Sequence, residues 1–170
     1  MADLTAIFFI LLIIGIAYPA LLTAWWLLFP AAVERARMRM QHTPGASFWM
    51  GLAALIGFLI PIMILFNLPS GFFKFLGFVA IGVLLVLASL GAAGLAARFA
   101  DKLNRIGNFS AIGSFVRGAV IIELASILPV VGWFVFLPIA LVTTLGASVF
   151  AMLNWTPKSA APAVEIPAQA

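Results

Sequence analysis

Residues Ala6 to Phe29 run for 24 positions without a charged side chain. As a helix, such a run reaches about 36 Å, against a bilayer hydrocarbon core of about 30 Å. It is not alone. Phe48 to Phe66 and Phe75 to Ala97 are two more uncharged apolar runs, and Gly118 to Leu153 is a fourth, in which Glu123 is the one charge. Each of these is too long and too apolar to be the half-exposed helix of a water-soluble domain.

Composition agrees. Of 170 residues, 65% are hydrophobic and 8% charged, with mean hydropathy +1.25; soluble domains carry roughly 25% charged residues. Too few polar side chains exist to coat a soluble particle of this size, so lipid must solvate most of the surface. The sequence therefore predicts an all-α integral membrane bundle of about four transmembrane segments. These are residues 6–29, 48–66, 75–97, and a last segment made of 118–128 plus 133–153. Residues 1–153 form one helical domain in this reading, and the Pro- and Ala-rich stretch 154–170 is expected to be a disordered tail.

The first run is expected to be an uncleaved anchor kinked near Pro19, whose ring removes a backbone hydrogen bond. Asp3 is the charge that precedes it, where a signal peptide would have a positive region, and the run exceeds a signal peptide's apolar core.

Orientation follows from cations. The two long connectors hold seven of the nine Lys and Arg residues: Arg35, Arg37 and Arg39 in the first, and Arg98, Lys102, Arg105 and Arg117 in the second. Cytoplasmic loops carry such an excess. Connectors 30–47 and 98–117 are thus expected in the cytoplasm and the N-terminus outside, in a bacterial inner membrane. Trp25, Trp26 and Trp49 fall where the first two runs meet that interface, as an aromatic belt requires. The same cations are candidates for contact with anionic lipid headgroups, although their role as topology signals needs nothing more.

The last apolar stretch has 36 residues, about 54 Å as one straight helix. It must break, and Pro129 and Gly132 offer the place. In one geometry the short limb 118–128 lies shallow at the cytoplasmic side while the long limb crosses, leaving Trp155 outside. In the other, the limbs form a hairpin and the tail returns inside. The first is preferred, and both need the break covered by neighbours.

Two groups of residues in the apolar runs call for comment. Glu123 shares a helix face with Ser126, forming a narrow polar stripe, and an ionisable group inside a membrane segment marks a candidate site. The reading with fewer requirements makes Glu123 an interfacial group paired with a cation such as Lys102 or Arg105. In the third run, Ala88, Ala92 and Ala96 form one small-residue row and Ser89 and Ala93 another, which lets helices approach closely. The row Ala140, Thr144 and Ser148 in the last segment is the expected partner, within the chain.

Catalytic parts are scarce. There is no cysteine, one histidine (His42), and five scattered acids, with no metal-ligand spacing, nucleophile motif or phosphate-binding loop. No enzyme activity, cofactor, metal or nucleic-acid partner is expected. Partners are the lipid bilayer and either further copies of the chain or a larger membrane complex.

The segments "FPAAVERARMRM", "PGASFWMGL" and "RGAVIIELASILPVVGWFVFLPIALVTTLGASV", with the small-residue third helix, resemble the multi-helix membrane region found with bactofilin-like, polymer-forming cytoskeletal proteins of bacteria and related membrane proteins. The resemblance spans roughly residues 25 to 153. No β-helical polymerising segment accompanies it in these residues. What it implies is membrane anchoring or scaffolding, with no catalytic residues. The function expected is that of a structural, scaffold or accessory subunit with no chemistry of its own; the alternative is a small transporter or channel component using Glu123 and the broken last helix.

Overall fold

A computed structural model describes residues 2–107 and 109–155. Among them there is no strand: the chain forms α1 (Ala2–Leu28), α2 (Pro30–His42), α3 (Pro44–Asn67), α4 (Gly71–Ile106) and α5 (Ala111–Ile127). A π-helical turn, Gly132–Phe136, then runs directly into α6 (Leu137–Met152). The all-α membrane bundle is therefore the fold. Among the described residues three helical segments, Pro44–Asn67, Gly71–Ile106 and Gly132–Met152, are long and apolar enough to cross a bilayer, and the count rises to four if Gly15–Leu28 and Pro30–His42 form one bent span. The tail beyond Trp155 lies outside the described residues.

Three differences between the helix boundaries and the sequence expectation have a clear local reason. First, α1 continues through Pro19, and the sharp change of direction comes later, a 108° bend between Leu28 and Pro30. Phe29 precedes a proline, which disfavours helical backbone there, and it sits at φ −130°. Pro30 then occupies the first turn of α2, where a missing N–H costs nothing. Most of the first arginine connector is thus a 13-residue helix.

Second, α4 does not stop at Ala97 but runs to Ile106. Residues 98–106 contain neither glycine nor proline, and Arg, Ala, Lys and Leu are good helix formers, so the polar extension continues the span until Gly107. Third, α5 starts at Ala111, seven residues before the expected limb. Ser110 caps it, its hydroxyl accepting from the Gly113 N–H at 3.2 Å.

α5 ends at Ile127 because Leu128, again the residue before a proline, is extended. The chain then doubles back: the Gly132 N–H donates to the Leu128 carbonyl at 2.9 Å. A β-carbon on Gly132 would lie 2.5 Å from the Ala125 carbonyl oxygen, so a side chain has no room there. The other end of α6 is closed by Asn154, the one described non-glycine residue with positive φ (56°), a conformation that asparagine tolerates better than most.

α6 packs mainly against α3, α4 and α2, and α4 also carries α5 and α2. The small-residue rows of α4 face two ways. Ala92, Ala93 and Ala96 are buried with Leu22 of α1, Val33 of α2, and Phe115, Ala119 and Ile122 of α5. α6 meets α4 along a different line, where a β-carbon on Gly91 would fall 2.0 Å from the Thr144 carbonyl oxygen, and the Ser148 hydroxyl donates to the Leu87 carbonyl at 2.5 Å. Small residues permit this backbone contact, from which membrane helices gain van der Waals packing and interhelical hydrogen bonds. Large apolar side chains such as Ile60 and Met63 on α3 and Phe72, Phe75 and Phe78 on α4 point outward.

Candidate functional site

The cations of the two connectors are brought together, and most acquire a partner inside the chain. α2 packs along the polar end of α4, which places Arg37 between Glu34 of its own helix and Asp101 of α4, paired with both. Hydrogen bonding to Glu34 in the first place, helped by Asp101, raises the Arg37 pKa above its usual value although partial burial opposes it. Arg35 donates to the Asn154 side chain. Arg39 donates to the Trp155 carbonyl at 2.6 Å, and its guanidinium lies 4.2 Å from the centre of the Phe150 ring. Arg117 stands over the Phe109 ring at 4.0 Å.

Arg98, Lys102 and Arg105 differ. They follow one another at i, i+4 and i+7 on α4, and so share one face. Arg98 gives one donor to the Met40 carbonyl at 2.9 Å. Lys102 and Arg105 form no hydrogen bond or ion pair with any described residue. Together with Gln41 and Asp101 these three cations line a shallow recess of about 130 Å³. Arg98 also stands at the edge of a larger groove of about 350 Å³ between α2, α4 and the start of α6. That groove is walled by Met40, Leu95, Phe99, Val135, Ile139 and Ala140 among others, and is apolar apart from Arg98 and two threonines.

Glu123 is buried, 9% exposed, and faces α1. A β-carbon on Gly15 would be 3.5 Å from its Oε1, and Tyr18 lies close enough for the two to interact electrostatically. No hydrogen bond or ion pair reaches the carboxylate from the described residues, so the expected pairing with Lys102 or Arg105 is not formed. The reason is geometric: both cations stand on α4 beyond the level at which Gly118 of α5 meets Ala96 and Ala100, while Glu123 lies further along α5 in the opposite direction. Ser126, three residues on along the same helix, is half-buried and its hydroxyl donates to the Ile122 carbonyl at 2.8 Å.

Among the described residues the remaining buried polar side chains are Ser47, Ser114, Thr144 and Ser148. Ser47 bonds to the Thr43 carbonyl, Thr144 to that of Leu141, Ser148 to those of Leu87 and Thr144, and Ser114 to the Asn104 side chain. Trp25 and Trp26 are half-buried against the bundle: the Trp25 indole N–H donates to the Ser89 hydroxyl at 3.0 Å, and Trp26 stacks on Phe115 with centroids 4.9 Å apart. Trp49 stays exposed.

Sequence reasoning did not separate Arg98, Lys102 and Arg105 from the other cations. The one signal was their heptad-like spacing, and it becomes informative only once α4 is known to run through Ile106. Among the described residues no group of three acids or histidines is placed to hold a metal ion. Comparison with protein-family models, curated proteins and solved structures gives no match.

Proposed function

We propose that the chain is a structural or accessory subunit of a bacterial inner-membrane assembly, with no chemistry of its own. One observation carries this reading: among the described residues, of the five buried polar or charged side chains, four are hydroxyls whose hydrogen bonds close within the bundle. A permeation path needs polar groups that face one another across a wet cavity; here Ser47 and Thr144 bond to the backbone of their own helices or caps, and Ser114 and Ser148 tie α5 and α6 to α4. The resemblance of residues 25–153 to the membrane region of bactofilin-like proteins points to the same theme of anchoring and scaffolding. In this reading the cationic connectors lie in the cytoplasm and further copies of the chain or a larger complex form its partners.

A second reading has its own observation. Glu123 is a buried carboxylate without a hydrogen-bond donor among the described residues, beside Tyr18, and this suits a proton- or ion-handling group of a small transporter component. Glu123→Gln separates the two. The subunit reading expects unchanged proton and ion flux in reconstituted vesicles, and the same copurifying partner from native membranes for wild type and variant. A flux that disappears with the carboxylate overturns it.

A further inference from the structure

We propose that the face shared by α2, α4 and the beginning of α6 binds one anionic phospholipid, its phosphate held by Arg98, Lys102 and Arg105 and one acyl chain laid in the adjoining apolar groove. The recess and the groove meet at Arg98, which lines both. A polar recess with three cations continuous with an apolar groove is complementary to an amphiphile with a charged head and a hydrocarbon tail, and to neither a sugar nor a fully apolar ligand.

The charge balance singles out this face. The recess has one carboxylate, Asp101, and that group is already engaged by Arg37. Lys102 and Arg105 are exposed and without acceptors among the described residues, whereas Arg35 and Arg39 each have one and Arg37 has two. Arg98 spends one of its donors on the Met40 carbonyl, which fixes its head at the junction and leaves the others free. Basic pockets between membrane helices are suited to anionic headgroups. The groove's volume of about 350 Å³ falls in the range of roughly 300–1,000 Å³ typical of ligand sites. Leu95 and Ala140, both half-buried, and the buried Thr144 are among the side chains that line it.

The inference holds whether the chain is an accessory subunit or a transporter component. It is tested on the full chain, delipidated in a neutral detergent and titrated with dioleoyl phosphatidylglycerol or dioleoyl phosphatidylcholine, with lipid adducts counted by native mass spectrometry. Phosphatidylglycerol is expected to bind with one saturable, preferred stoichiometric adduct. Lys102→Gln/Arg105→Gln, which disturbs no hydrogen bond of the fold, is expected to weaken that adduct about tenfold or more and to leave phosphatidylcholine binding unchanged. Ala140→Phe, which fills the groove and keeps every cation, is expected to weaken it as well, with helical content checked by circular dichroism. Two results overturn the proposal: equal binding of the two lipids with no effect of the double substitution, or inorganic phosphate displacing the lipid while Ala140→Phe binds normally, which would make the site a free-phosphate site.

Discussion

Gly51 on α3 and Val142 on α6 meet backbone to backbone: a β-carbon placed on Gly51 would lie 1.7 Å from the Val142 carbonyl oxygen. One turn away the contact repeats, with a β-carbon on Gly146 falling 1.8 Å from the Ser47 carbonyl oxygen. Neither neighbour is a side-chain end that can swing aside, so a methyl group must push the two helices apart. Gly51→Ala is expected to destabilise the protein by about 3 kcal/mol or more, at or above the usual range for overpacking. Gly57, on the same helix with open space around it, is the control. Gly57→Ala is expected to be neutral or to stabilise by up to about 1 kcal/mol through helix propensity. Unfolding in detergent, followed by circular dichroism, measures both; equal effects at the two positions would contradict the crossing.

The Trp25 to Ser89 hydrogen bond ties α1 to α4 across 64 residues of sequence. Trp25→Phe keeps an aromatic body and removes the donor, and Ser89→Ala removes the acceptor. Each is expected to cost about 1 kcal/mol, and the double variant less than the sum, since the second substitution has no bond left to break. Strict additivity in the cycle would show that the two groups do not interact.

Much of this bundle was legible in the run lengths and little of its packing was. Charge-free runs located α3, most of α4 and the last segment, because lipid dictates both length and composition of a span. The break near Pro129 followed from simple length. The extension of α4 through Arg98 to Ile106 is not legible in run length, since charge marks the end of the apolar part and not the end of the helix. The Ser47–Gly51 and Val142–Gly146 crossing has no stronger mark in the sequence than the alanine-rich row of α4. Small residues at four-residue spacing occur on three helices, and which pair meets depends on loop geometry and not on spacing. Glu123 was recognised as unusual, but its neighbour Gly15 is more than a hundred residues away and had no mark of its own.

Arg37 bridges Glu34 and Asp101, yet the site is partly open, with side-chain exposures of 24% for the arginine and 48% and 40% for the two acids. Solvent screens such pairs, so Arg37→Gln is expected to cost no more than about 1 kcal/mol. The loss is expected to shrink further at high ionic strength. A different consequence is larger: the Asp101 carboxylate, released from its partner, faces the recess with Arg98, Lys102 and Arg105. Phosphatidylglycerol binding in the assay above is therefore expected to weaken in Arg37→Gln, and to recover in Arg37→Gln/Asp101→Asn. Failure of the second substitution to restore binding would mean that Arg37 acts in some way other than by occupying Asp101.

The end of α6 bears on how the chain threads the bilayer. Arg35 bonds to Asn154 and Arg39 to the Trp155 carbonyl, so the chain leaving α6 lies against α2. The geometry in which Trp155 emerges on the face opposite the arginine connector is not the one formed; the two sit on one side. The chain has no cysteine, so single introduced thiols report cleanly. Gln41, Ser70 and Leu153 are exposed and lie near the end of α2, in the α3–α4 turn, and just past the end of α6. If the cations face the cytoplasm, as their number in the two connectors predicts, a membrane-impermeant maleimide applied to intact spheroplasts is expected to label Ser70→Cys and spare Gln41→Cys and Leu153→Cys. Inverted vesicles are expected to give the reverse. Labelling of Leu153→Cys together with Ser70→Cys would separate the end of α6 from α2 and contradict the contacts of Arg35 and Arg39. Complete reversal of the pattern would keep those contacts and turn the whole bundle over.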